Sequence, residues 1–265
     1  MEKKREETYM KWFDEVKTTY LSMLNNKLVF EKKLEMLEVR FSDSDTTAGL
    51  FLAKTEKKVI LNIFLEIAKN DSKLEVMHLV AHELTHLLFA ETDKLGFNGY
   101  SANDDSVSVS HIKRKVLGTD QIYGMAFEEG LCEYIAFSVV KNIFKNVYTE
   151  NEIISKIYKN KDEKDKKYFT AFLLMREIVK YFGNEIDSKI DELEFSEKFK
   201  SPKNYLLYTA ATGTLSIFIN DFEACTYKGA WQKLNKLFEE FWNDNSKIFI
   251  REQIIEILEL SKNDK

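Results

Sequence analysis

His82-Glu83-Leu84-Thr85-His86 is the stretch on which the reading of this chain turns. Two histidines four residues apart, with a glutamate directly after the first, are the ligand pair and base of a zinc hydrolase when they lie on a helix. Helical residues i and i+4 share a face with Cβ atoms roughly 5–6 Å apart, so both imidazoles can reach one ion at about 2.0–2.1 Å. The spacing predicts His82 and His86 as metal ligands and Glu83 as the group that takes a proton from water.

The helix can be argued without the motif. Asp71 and Ser72 are N-cap residue types, and Glu75, three after Ser72, completes a capping box. Leu74, Met77, Val80, Ala81, Leu84, Leu87 and Leu88 recur at three- and four-residue steps, one broad apolar stripe that predicts a helix over about 72–91. His78 repeats the spacing on the N-terminal side. A ligand one more turn away lies too far from an ion already bridging two turns at about 1.5 Å rise per residue, so a packing or hydrogen-bonding role is expected for His78.

A catalytic zinc ion takes three protein ligands and keeps one open position. Among the 4 histidines, His111 is the one left to serve. A metzincin would carry Gly and His at fixed steps after the second histidine, where this chain has Phe89 and Thr92, so that class is excluded. A better source is the segment from Tyr123 to Phe137. Glu129 and Glu133 stand i, i+4 on one face, while Phe127, Leu131, Tyr134, Ile135 and Phe137 cover the rest. Acidic groups on so apolar a helix call for a cation.

Outside these helices, 44% hydrophobic and 13% aromatic content supplies a large core, and 1 proline with 9 glycines argues for a helix-rich chain. Met1 to Asn26 reads as a first helix with Trp12, Phe13, Val16, Tyr20 and Leu24 on one face. Leu34 to Phe41 reads as a strand, and Gly49–Ala53 with Val59–Ile63 as a hairpin. Residues 92–121, rich in Gly, Ser and Asp, read as a long loop with a short hairpin around Ser106 to Lys115, a candidate lid. From 151 the chain reads as helical, with Lys159–Lys167 a charged turn, Pro202 a break and Phe238–Trp242 an aromatic surface. The expected fold is α+β and helix-rich: a small, mainly antiparallel sheet, the zinc helices and a C-terminal helical lobe. Residues 1–140 and 141–265 form its two lobes.

The motif followed by Glu129-Gly130-Leu131-Cys132-Glu133-Tyr134 resembles the gluzincin metallopeptidases, over about residues 70–140. The resemblance implies a zincin-like fold and one zinc ion held by His82, His86 and Glu129, with Glu83 as general base. It implies for Glu133 the place of an acid that orients a ligand histidine. Glu128 is the alternative third ligand. No Gly-x-Met-Glu-Asn run, the amine-binding signature of related aminopeptidases, precedes His82, so an endopeptidase is expected. Several gluzincins take their oxyanion donor from a tyrosine of the helical lobe, which points to Tyr208 or Tyr205, with His111 the other choice. Zincins also pair substrate with a sheet edge, here Leu50–Ala53 or Val59–Ile63.

Zinc in such a site lowers the pKa of bound water from about 15.7 towards about 7, so that Glu83 can accept its proton and deliver it to the leaving amine. The expected substrate is a polypeptide. A net charge of −5 with both signs mixed gives no field for nucleic acid. No run of 18 apolar residues and no leader-like h-region occur, so no membrane anchor is expected and a cytoplasmic protein is, or a secreted one should a leader precede Met1. Cys132 and Cys225 lack metal or redox spacing. The rival function is a binding or regulatory module on a metalloprotease scaffold, against which an intact Glu83 weighs.

Overall fold

The first helix, α1 (Lys3–Met23), forms because Tyr9, Phe13, Val16, Tyr20 and the following Leu24 fall at three- and four-residue steps, and all five are buried. Trp12 sits half-exposed at the stripe's edge, tilted against Tyr9 at 5.2 Å. The computed structural model describes residues 3–24, 28–35, 37–44, 49–54, 59–66, 72–89, 92–93, 96–97, 114–115, 122–123, 125–158, 163–189, 223, 226–244 and 252–257. Among them the chain is helix-rich.

A short helix, α2 (Leu28–Glu35), precedes the first strand, β1 (Leu37–Ser44). The strand therefore starts at Leu37 and not at Leu34. Phe30 and Leu34 are four apart, and Phe30 is fully buried against Tyr20 at 5.1 Å, so helical spacing wins over alternation there.

The strands β2 (Gly49–Lys54) and β3 (Val59–Glu66) pair antiparallel, Leu50 opposite Ile63. The strand β1 pairs parallel with β3, Phe41 opposite Ile63, so the order is β1-β3-β2 and the sheet is mixed where a mainly antiparallel one was expected. The hairpin returns β3 into the gap beside β1, which makes the two flanking strands run oppositely. Phe41 and Ile63 turn to the core, with Tyr9 of α1 5.5 Å from Phe41.

The next helix, α3 (Lys73–Phe89), carries the motif. Its capping box forms as read: Glu75 N donates to Ser72 Oγ at 3.3 Å, and Ser72 N donates back to Glu75 Oε2 at 3.0 Å. In residues 92–123 the described backbone shows two minimal ladders, β4 (Thr92–Asp93) with β5 (Gly96–Phe97) and β6 (Arg114–Lys115) with β7 (Ile122–Tyr123). Lys115 thus pairs with Ile122, beyond the hairpin expected around Ser106–Lys115; residues 98–113 lie outside the described residues.

Next come α4 (Met125–Phe144), α5 (Glu150–Ile157), α6 (Glu163–Lys189) and α7 (Ala230–Asn243). Glu163 to Lys167 are helical, not a turn, because Glu and Lys are strong helix formers. Phe238, Phe241 and Trp242 are buried core of α7 and not surface, since they share its stripe with Trp231, Leu234 and Leu237.

The chain forms two compact units: residues 1–111 with 135–159, and residues 112–134 with 160–265. In the first, α3 packs with α1, α5 and the sheet. In the second, α6 packs with α7, and Tyr168 meets Trp242 edge-on at 5.2 Å. The helix α4 is continuous and contributes to both. No helix among the described residues is long and apolar enough to cross a membrane.

Candidate metal centre

Along α3, Leu74, Val76, Met77, Val80, Ala81 and Leu84 are buried, and so are His78, His82, Glu83, Thr85 and His86. The motif therefore lies inside the fold, where i, i+4 spacing brings the two rings together: His82 and His86 stand with centroids 4.8 Å apart at 71°, and their Nε2 atoms are 3.0 Å apart. Two ring nitrogens converge on one point. A 3.0 Å separation is short enough for both nitrogens to reach one ion at bond lengths of about 2.0–2.1 Å. Metal ligation through Nε2 requires the tautomer with the proton on Nδ1.

Glu129 on α4 supplies the third donor: one ligand atom each from His82, His86 and Glu129 lies within 4.8 Å of the others, and all three residues are buried. Two imidazoles and a carboxylate are a donor set that three-ligand zinc sites use, and the buried cluster could hold a metal ion. Glu83, Glu129 and Glu133 are 6%, 4% and 5% exposed, so all three carboxyl groups lie inside the fold with the two histidines.

Glu129 is positioned by the residue after it. A Cβ on Gly130 would lie 2.8 Å from the Ala171 carbonyl oxygen and 3.1 Å from Phe238 Cε1, so glycine lets α4 approach α6 closely. Leu131, Cys132, Ile135 and Ala136 are fully buried around it.

His78 takes no part in the triad. It is buried and edge-on to Tyr158, the residue capping α5, at 6.2 Å. Tyr205, Tyr208, His111, Pro202 and Cys225 lie outside the described residues, as does the side chain of Glu128. Val59–Ile63 is excluded as a free sheet edge, because β3 is bonded on both sides; Leu50–Ala53 lies in the flanking strand β2.

A neighbour of the site escaped sequence reading. Tyr20 shares a 2.8 Å hydrogen bond with Thr85, inside the motif and 65 residues away, and both are fully buried. On α1 Tyr20 reads as one more core residue, and nothing local pairs it with Thr85. No family model matches this chain, and no curated protein or solved structure matches it.

Proposed function

We propose that this chain is a zinc-dependent metallopeptidase, an endopeptidase of gluzincin type with a zincin-like fold, that hydrolyses peptide bonds in a polypeptide substrate. The observation that carries the reading is the buried triad in which the His82 and His86 Nε2 atoms converge at 3.0 Å beside a Glu129 oxygen. When bound, a zinc ion supplies Lewis acidity towards a carbonyl and acidifies water.

The chain's own groups do the rest. His82, His86 and Glu129 hold the ion. Glu83, next to a ligand and buried, takes the proton of the attacking water at its carboxylate and returns it to the leaving amine nitrogen. Its burial excludes bulk water from that transfer and strengthens the local electrostatics. Glu133, one turn after Glu129 and equally buried, is the acid assigned to orient a ligand imidazole. Tyr208 is the assigned donor to the developing oxyanion, with Tyr205 and His111 as the other choices.

The test is cleavage of a peptide library by the wild type and by Glu83→Gln. A general base contributes about 10²–10⁴-fold, so the variant should keep its zinc and fold and lose at least a hundredfold in rate. An unimpaired variant removes the mechanism.

A further inference from the structure

The Tyr20–Thr85 contact has a defined direction. A threonine hydroxyl carries one hydrogen, and Thr85 Oγ1 donates it to the Ala81 carbonyl oxygen at 2.8 Å. In the bond to Tyr20, also 2.8 Å, Tyr20 is therefore the donor and Thr85 Oγ1 the acceptor. The hydroxyl of α1 thus joins a chain that runs through Thr85 into the backbone of α3, at the carbonyl directly before His82.

Position on the helix makes this consequential. At about 100° per residue, Thr85 stands about 60° from His82 and about 100° from His86 around the axis, on the flank of the ligand face. Apolar packing between α1 and α3 restricts their setting only to broad classes of angle, whereas a hydrogen bond weakens steeply off its axis. The exposed Lys73–Glu15 pair, 2.7 Å apart, also links α3 to α1, but such surface pairs hold geometry weakly. Ring nitrogens sit roughly 6 Å from the axis, so a turn of α3 by about 5° moves both Nε2 atoms sideways by about 0.5 Å. Metal–ligand distances tolerate about 0.2 Å.

We propose that Tyr20 is a positioning residue: its bond to Thr85 sets the rotation of α3 and so the point on which the His82 and His86 nitrogens converge. This rests on the metal-site reading above. Tyr20 is held in its own setting by Phe30, 5.1 Å away, so removing the hydroxyl leaves its ring packing in place.

The experiment uses the full chain, stripped of metal and titrated with Zn²⁺ against a chelating indicator and with Co²⁺ by visible absorption. Tyr20→Phe and Thr85→Val should each weaken zinc binding by about tenfold or more, within the 10–100-fold typical of groups that orient ligands, and should shift the Co²⁺ bands. Thr85→Ser, which keeps the acceptor, should restore both. A folded Tyr20→Phe with wild-type Co²⁺ bands and affinity within about twofold would falsify the proposal. If Tyr20→Phe does not fold, equal binding by Thr85→Val and Thr85→Ser overturns it in the same way. A wild type that binds no ion removes the metal-site reading itself, a result that no variant is needed to see.

Discussion

Replacing Gly130 by alanine probes the packing that carries Glu129. The added methyl would sit 2.8 Å from the Ala171 carbonyl oxygen and 3.1 Å from Phe238 Cε1, against an ordinary contact of 3.4 Å or more. The nearer obstacle is backbone, which cannot swing aside, so α4 and α6 must part by about 0.6 Å in a packed interior. Overpacking of this kind costs roughly 1–3 kcal/mol, and alanine's better helix propensity returns about 1 kcal/mol. The net is about 1 kcal/mol of destabilisation, or roughly 2–4 °C in Tm for a chain of this size. The same 0.6 Å is about three times the tolerance of a metal–ligand distance. Zinc affinity should therefore fall by about tenfold, more than the stability change alone suggests. Thermal melts of the metal-free protein and zinc titration give the two numbers. Phe238→Leu added to Gly130→Ala relieves the ring contact but not the carbonyl, so affinity should stay low. A Gly130→Ala protein that is more stable than wild type and binds zinc equally would refute the close-approach argument.

Glu129→Ala should lower bound zinc to a small fraction of the wild-type content while Glu128→Ala leaves it unchanged; metal analysis showing the reverse moves the third ligand by one residue. At the start of α5, Glu152 accepts hydrogen bonds from the backbone and side chain of Thr149, which hold its carboxyl below the ordinary value of 4.5. A depressed carboxylate stabilises the fold above its unfolded pKa and loses that contribution as pH falls through the folded value. Glu152→Gln should then have a lower urea midpoint than wild type at pH 7, with the gap closing below pH 4.5; a gap independent of pH is the contrary result.

The features legible in the sequence are those whose physics is local. Ser72 and Glu75 cap α3 through bonds three residues apart, and the i, i+4 spacing of His82 and His86 brings their rings together wherever that helix forms. Glu129 could be singled out because a carboxylate on so apolar a segment demands a partner. The helix at Leu28–Glu35 was not legible, since eight residues carry too little periodicity to outweigh the alternation that follows.

What only the tertiary structure decided depends on residues far apart in the chain. Placing β3 between β1 and β2 withdrew Val59–Ile63 from any free edge, a matter of which strands meet and not of their composition. Gly130 has its meaning from a carbonyl at Ala171, and Thr85 from a hydroxyl at Tyr20. The sequence by itself paired His82 with His86, because one helical turn suffices to juxtapose them; their meeting with Glu129 and the setting of α3 belong to the packed fold, because they depend on contacts whose partners no local pattern can name.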